Sequence, residues 1–398
     1  MKILAFVESQ DRKLESLSID TTMIKELGSD IEKKLVISTQ TNLQQLLMSL
    51  HDNDEKMSPQ ANSNDSQFRG LGSNWPLELI TYLEETLTSI STYLQSPTRE
   101  KVYQCILNTL PELLTKQSGW LKKIEGGSYT REVSIERLCA SMNNHHYFSE
   151  MLEVRKHSLL SKSETEEDVG QCFSKVILLY TVSPALSASV LSQLMCSDIK
   201  DILKAGLLKS GYENSVGSQF GGSKVITIVA TAMAKNKNDL ETFLCPDNIQ
   251  KFYRTIMSDM LSSLTETFLE LLLLTLSSVN HNLLLKIDED YNIISSLCLQ
   301  YKDCFKDSSH ENTTLLPLCD VVKVFSMDTR NMASFVRENL YVDFGNNAVR
   351  VWQTIMTIRG ETKSTVDAVY DSVMRGWTPI EIKPLNDCKF KDKLRKTR

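Results

Sequence analysis

The sequence predicts an all-α protein of the α-solenoid type, an array of antiparallel helix pairs like those of HEAT and armadillo proteins. The 398 residues contain only 15 glycines and 9 prolines, whereas a chain of many strands needs many such turn residues. Apolar residues recur three or four positions apart along most of the chain, which is helical spacing. Residues 268–276, FLELLLLTL, are apolar nearly all round, and such a helix must be covered by other helices.

The chain divides into four predicted segments. Residues 1–51 carry a weak leucine stripe that predicts one or two helices. Residues 52–76 are rich in Asn, Ser, Gly and Pro, and they have too few apolar side chains to offset the entropy lost on ordering. We therefore expect a flexible linker at 52–76, a helical-repeat domain at 77–385 and a basic tail at 386–398.

Helix boundaries in the repeat domain are marked by capping and turn residues. The Ser-Pro pairs at 96–97 and 183–184 each place a capping serine before a proline at the first helical position. A Gly-Gly turn follows at 126–127, and Ser163 with Glu166 forms a capping box. The polar run at 143–147, NNHHY, predicts a turn between two short helices.

The second half of the domain contains the strongest helical pattern. An apolar stripe over 247–280 predicts a long core helix. Residues 225–233, VITIVATAM, carry several β-branched residues; their alanine-rich continuation favours a buried helix, with a buried strand as the alternative. Five more short helices are predicted at 287–299, 315–325, 332–340, 349–358 and 366–374.

Composition places the chain among soluble intracellular proteins. Its 41% hydrophobic and 24% charged residues are ordinary, and a formal charge of −6 lacks the net basic face of a phosphate binder. The apolar run in the N-terminal MKILAFVESQDRK is shorter than the apolar core of a signal peptide. The apolar run at 268–276 is too short for a bilayer, which takes about 20 residues. The nine cysteines form no C-x-x-C and are expected to be reduced thiols.

No motif predicts a catalytic, cofactor or metal site. The glycine-rich loop at 217–224, GSQFGGSK, lacks a lysine directly after its second motif glycine, so a flexible loop is favoured over a phosphate loop. His145, His146 and His157 lack a helical H-x-x-x-H pair, so we expect surface histidines rather than a zinc site, despite the nearby Cys139. Residues 288–290, Asp-Glu-Asp, are expected in a solvated loop.

The C-terminal tail carries the one marked charge bias. Six of the ten residues from 389 to 398 are basic and one is acidic. The tail is a candidate nuclear-import signal, with nucleic-acid contact or a plain solvated end as alternatives. The basic residues are Lys389, Lys391, Lys393, Arg395, Lys396 and Arg398.

Several apolar segments together resemble a known family. The segments are LSASVLSQLM (186–195), KVITIVATAMAKNKNDLETFL (224–244), FYRTIMSDML (252–261), FLELLLLTLSSVNHNLLLKI (268–287) and NNAVRVWQTIMTIRG (346–360). Their succession is similar to the C-terminal helical region of the ATR-interacting protein family, over roughly residues 130–360. The acidic N-terminal motif and long coiled coil of that family have no counterpart here. The resemblance implies a scaffold that docks on the ATR checkpoint kinase in the nucleus.

The sequence therefore predicts a non-enzymatic adaptor or regulatory subunit of a large kinase complex in the DNA-damage and replication checkpoint. No cofactor and no membrane partner are expected, nucleic acid would be contacted only indirectly, and the oligomeric state is open. Candidate interface anchors, with a core position as the alternative for each, are Trp75, Trp120, Trp352 and Trp377. A helical scaffold subunit of a membrane-tethering or trafficking complex is the alternative, and an enzyme with an unrecognised site is a third hypothesis.

Overall fold

Over its described residues the chain is all-α, as the sequence predicts. The structure is a computed structural model, and a single antiparallel pairing of two-residue strands accompanies its helices. It describes residues 2–16, 22–56, 59–61, 70–94, 96–160, 166–210, 224–276, 278–304 and 308–375.

The helices of the described residues follow one another along the chain. The first part of the chain contains α1 (Lys2–Ser16), α2 (Thr22–Lys56), β1 (Gln60–Ala61), β2 (Leu71–Gly72), α3 (Trp75–Tyr93), α4 (Ser96–Thr109), α5 (Glu112–Glu125), α6 (Arg131–Leu160) and α7 (Glu166–Val182). The second part contains α8 (Pro184–Ser210), α9 (Lys224–Phe243), α10 (Pro246–Asn248), α11 (Arg254–Thr275), α12 (His281–Gln300), α13 (Ser308–Ser326), α14 (Thr329–Phe335), α15 (Tyr341–Phe344), α16 (Ala348–Ile358) and α17 (Lys363–Arg375). Two π-helical turns lie at Ile249–Tyr253 and Val336–Leu340.

The chain forms two compact units. Unit 1 comprises Met1–Leu191 and Asp239–Phe252, and unit 2 comprises Ser192–Asn238 and Tyr253–Arg398. The four-segment division drawn from the sequence stays a prediction. Helix α2 continues to Lys56 and α3 begins at Trp75, so helix enters both ends of the predicted linker.

Unit 1 has a core of leucine-rich stripes. In α2, three buried leucines lie on one face, and α3, α4, α6 and α7 contribute matching stripes to the same cluster. Each buried leucine or isoleucine contributes about 1.5–3 kcal/mol relative to exposure. The helical spacing seen in the sequence is thus the spacing that buries these side chains.

Unit 2 is built around α11, which confirms the predicted core helix but is shorter than the predicted 247–280. Thirteen of its residues are buried, among them the consecutive Ser263, Leu264 and Thr265. Three consecutive residues point about 100° apart around a helix, so α11 is covered on several sides. Its neighbours within the unit include α12, α13 and α16. The predicted helix over residues 225–233 is also confirmed, because they lie within α9.

Two predicted loops are wrong. The NNHHY run at 143–147 lies in the middle of α6, because its polar side chains find partners inside the protein instead of water. Residues 288–290 lie within α12, and Asp290 is fully buried. A run of polar residues can therefore lie inside a helix where the tertiary structure offers its side chains hydrogen-bond partners.

Candidate functional site

The centre of α6 is buried on every side. Twelve consecutive residues, from Leu138 to Ser149, are buried. Half of them are polar, and we name these six the polar seam. Buried polar groups destabilise a fold unless they are hydrogen-bonded, so their partners determine what the seam can do. The polar seam comprises Ser141, Asn143, Asn144, His145, His146 and Ser149.

Asn143 makes four hydrogen bonds to three separate parts of unit 1. Its Nδ2 donates to the carbonyl oxygens of Leu71 at 2.8 Å and Phe243 at 2.7 Å. Its Oδ1 accepts from the backbone N–H of Cys245 at 2.9 Å and from Asn248 Nδ2 at 3.0 Å. Two donors and two accepted bonds are a full complement for one amide side chain. The side chain therefore fastens β2 and α10 to α6.

Gly70 makes room for this amide. Its φ of +101° is a conformation that L side chains rarely adopt. A Cβ there would lie 2.7 Å from Asn143 Nδ2, 2.8 Å from the Phe243 carbonyl oxygen and 2.9 Å from the Cys245 nitrogen. Only glycine lets the backbone at this position approach α6 so closely.

The next two seam residues bind other elements. Asn144 Oδ1 accepts from the Ser73 backbone N–H at 3.0 Å, and its Nδ2 donates to Ser73 Oγ at 2.9 Å. His145 Nδ1 lies 2.8 Å from Ser183 Oγ, and its ring meets the rings of Trp75 and Tyr180 edge-on. Burial lowers the pKa of His145 to about 3. The imidazole is therefore neutral in the folded protein at physiological pH.

We expect unit 1 to lose stability in acid because of His145. The unfolded chain takes up a proton at this residue near its ordinary pKa of 6.5, but the folded chain does so only near 3. Stability should therefore fall as the pH drops below 6.5, by about 1.4 kcal/mol per pH unit from this group alone. Urea unfolding at a series of pH values measures the slope. His145→Gln, which cannot titrate, should flatten it; an unchanged slope would refute this assignment.

A small cavity lies beside the seam. Its volume is about 30 Å³, enough for one or two water molecules and far below the roughly 300–1,000 Å³ of small-molecule sites. Burial raises the pKa of Asp54, one of its lining residues, while a hydrogen bond with Ser73 opposes that rise. This cavity suits water rather than a metabolite. Its lining includes His51, Asp54, Glu55, Trp75, Trp120 and His145.

One cluster in unit 1 has the composition of a metal site. His146 Nε2 lies 3.1 Å from Asp247 Oδ2 and 3.4 Å from Glu150 Oε1. One ligand atom from each of the three residues lies within 4.8 Å of the others. The sequence predicts surface histidines at 145 and 146 rather than ligands, which is wrong because both are buried, and it predicts neither carboxylate as a partner of His146. The i, i+4 spacing of His146 and Glu150 was a readable signal, whereas Asp247 lies 101 residues away.

Unit 2 contains a pair of acidic side chains on α13 and α15. Asp320 is buried and its Oδ1 accepts a hydrogen bond from Lys323 Nζ at 3.2 Å. Burial, together with the charge and hydrogen bond of Asp320, raises the pKa of Asp343 to about 7. The pair can hold a proton near neutral pH, since two adjacent carboxylates resist ionising together.

We expect Asp343 to make unit 2 more stable in mild acid. The folded chain keeps the Asp343 proton up to about pH 7, but the unfolded chain releases it near 3.8. Stability from this group is thus present below pH 3.8 and is lost as the pH rises towards 7, by about 1–2 kcal/mol in total at a half-buried side chain. Hydrogen exchange of unit 2 peptides across this range measures the loss. Asp343→Asn should remove it, and a variant that retains the full loss would contradict the assignment.

An exposed apolar stripe runs from the end of α7 into α8. Leu178 is 61% exposed, Val182 53% and Leu186 62%, and they are spaced four residues apart. We name these three side chains the α7–α8 stripe. By length and composition alone, Val169–Leu207 could cross a membrane. Because half of its most apolar 18-residue segment is buried and a turn at Ser183 interrupts it, we assign this stretch to the helical core.

Several sequence-predicted site residues fall outside the described residues. These are the six basic tail residues, Trp377, and residues 217–223 of the glycine-rich loop; Lys224 begins α9. The predicted role of the tail stays a prediction. His157 lies in α6, but its side chain is outside the description. The described tryptophans are buried, so the structure places Trp75, Trp120 and Trp352 in the core rather than at an exposed interface.

The fold has known counterparts. No protein-family model and no curated protein match the chain. The crystal structure of the C-terminal domain of the exocyst subunit Sec6p matches with a TM-score of 0.59 and 13% identity, over 89% of this chain and 92% of that one. The crystal structure of M-Sec matches with a TM-score of 0.52 and 13% identity, over 89% of this chain and 57% of M-Sec. At this identity the likeness shows the shared all-α fold.

These likenesses overturn the checkpoint expectations. Four predictions are wrong: the checkpoint adaptor function, the ATR kinase as partner, the absence of a membrane partner and the nuclear location. The solved structures that share this fold are an exocyst subunit domain and M-Sec. These predictions were wrong because leucine-rich helices of unrelated function share the same spacing of apolar residues, three or four positions apart. The resemblance of the quoted segments to the ATR-interacting protein family is not tested by any of these matches and stays a prediction.

Proposed function

We propose that this chain is a non-enzymatic helical scaffold subunit of a membrane-tethering complex, acting on the cytoplasmic side of a membrane. The observation that carries the proposal is the likeness to the exocyst subunit domain, which extends over nearly the whole of both chains. This function was the alternative in the sequence analysis. The fold suits it, because packed helices leave long outer faces for other proteins.

The α7–α8 stripe supports a role in protein binding. Leu178, Val182 and Leu186 are each more than half exposed, and an isolated monomer gains no stability from apolar side chains that stay in water. Interfaces depend on a few apolar anchors that become desolvated when the partner docks. The stripe is therefore the surface of unit 1 that we expect a partner subunit to cover.

The charge distribution supports an indirect route to the membrane. Apart from the last ten residues, the chain carries 38 basic and 49 acidic side chains. Anionic lipid surfaces attract basic segments and repel acidic ones. We therefore propose that the acidic body of the chain reaches the membrane through partner subunits. The tail at 389–398 has a net positive charge, in contrast to the body.

Affinity purification of the tagged full chain from cells, read by mass spectrometry, tests the proposal. We expect stoichiometric co-purification of other tethering-complex subunits. Leu178→Ser/Val182→Ser/Leu186→Ser should reduce their recovery at least about tenfold, the loss of roughly 1.4 kcal/mol or more. Lys175→Ala/Thr181→Ala changes two exposed residues of the same helix and is the matched control.

The two possible failures have different meanings. If the triple variant retains its partners, the stripe is not the interface but the scaffold function stands. If the wild-type chain recovers no tethering subunit, or recovers a nuclear kinase instead, the proposed function is refuted. Circular dichroism of each variant ensures that the comparison is between folded proteins.

A further inference from the structure

The cluster of His146, Glu150 and Asp247 has the spacing of a metal centre. Zinc ligands lie about 2.0–2.2 Å from the ion in a tetrahedral arrangement, which places neighbouring ligand atoms about 3.2–3.6 Å apart. The two distances from His146 Nε2, 3.1 Å to Asp247 and 3.4 Å to Glu150, are close to that range. All three ligand atoms lie within 4.8 Å of one another, so an ion that binds them all would draw the two carboxylates closer together.

The backbone around the cluster is fixed before any ion binds. His146 is on the buried part of α6, with 8% of its side chain exposed, and Glu150 follows one turn later on the same helix. Asp247 lies in α10, and its two flanking groups, the Cys245 N–H and the Asn248 amide, both bind Asn143 Oδ1. Asn143 lies one turn before His146, so the clamp holds Asp247 opposite the imidazole. Such positioning of the ligands by their surroundings is what metal sites require.

The cluster is also open to solvent. The Glu150 and Asp247 side chains are 54% and 55% exposed. An ion can therefore enter, and water can complete its coordination. The imidazole provides the buried wall of the site and the two carboxylates provide its outer rim.

We propose that His146, Glu150 and Asp247 bind one zinc ion, with water as the fourth ligand. One imidazole nitrogen and two carboxylate oxygens suit zinc, whereas magnesium and calcium prefer oxygen ligands alone. The ion fastens α10 to α6 and thereby adds to the clamp that Asn143 makes. This zinc site is independent of the proposed tethering function, so refuting one proposal would not refute the other.

Isothermal titration of the full chain with ZnCl₂, in excess Mg²⁺, tests the site. We expect one zinc ion per chain, bound with at least about tenfold weaker affinity in Asp247→Asn, because one of three protein ligands is weakened. Asp247 is exposed, so this variant should fold; His146→Asn is the stronger but riskier change. His281→Asn alters an exposed histidine of unit 2 and should leave the affinity unchanged.

Cobalt separates this site from the cysteine thiols. Co²⁺ bound by nitrogen and oxygen shows d–d absorption without a thiolate charge-transfer band. We expect that spectrum in the wild type and its loss in Asp247→Asn. Absence of stoichiometric binding, a thiolate band, or an affinity unaffected by Asp247→Asn would each overturn the proposal and leave contact between the imidazole and the two carboxylates as the cluster's only role.

Discussion

Replacing Asn143 by leucine should lower the free energy of unfolding of unit 1 by at least about 4 kcal/mol. The change leaves four partners without the amide: the half-buried carbonyls of Leu71 and Phe243, and the buried Cys245 N–H and Asn248 side chain. An unsatisfied buried group costs about 1–3 kcal/mol, and a whole domain is stable by only about 5–15 kcal/mol. Urea unfolding measures the loss in free energy, and hydrogen exchange of unit 1 peptides shows that the loss lies in unit 1.

Asn108 provides the matched control for this prediction. It is an exposed asparagine in α4, so Asn108→Leu should change stability by less than about 0.5 kcal/mol. Equal losses in the two variants would mean that Asn143 contributes no more than a surface residue. In that case the polar seam would not be what fastens β2 and α10 to α6.

Gly70→Ala should destabilise unit 1 by about 2–4 kcal/mol. A side chain at a φ of +101° is strained, which costs about 1–3 kcal/mol. The new Cβ would also crowd backbone atoms of Phe243 and Cys245 at 2.8 and 2.9 Å. Thermal or urea unfolding against the wild type provides the measurement.

Gly127 separates strain from crowding. Its φ is +73°, but a Cβ there meets nothing within 4 Å. Gly127→Ala should therefore show only the conformational cost, about 1 kcal/mol. Similar losses at both glycines would show that crowding at Gly70 is unimportant. In combination with Asn143→Leu, the effect of Gly70→Ala should shrink, since the two residues act on one contact.

The helical fold could be predicted from the sequence because apolar spacing is a local signal. The stripe in α11 and the alanine-rich continuation of α9 each lie within one helix and needed no tertiary knowledge. The turn predicted at the NNHHY run, 143–147, is wrong for the opposite reason, because the partners that satisfy these residues are distant in sequence. The partners of Asn143 at 243–248 are 100 or more residues away, and no spacing rule reveals that they satisfy its amide.

The candidate site was predictable only in part. His146 and Glu150 share a helical face, which the sequence shows, but Asp247 joins them only through the packing of α10 on α6. Function was the hardest to predict, because the apolar segments from 186 to 360 report helix packing rather than a partner. Surfaces such as the α7–α8 stripe depend on which leucines remain exposed, and that is decided by tertiary structure.

The central claim is that the chain is a subunit of a membrane-tethering assembly, and relocating it in cells tests this most directly. The full chain, fused to an anchor for the mitochondrial outer surface, should draw other tethering subunits and transport vesicles to mitochondria, visible by fluorescence and electron microscopy. The anchor alone is the control. Mitochondria that carry the fused chain yet gather neither tethering subunits nor vesicles would contradict the account.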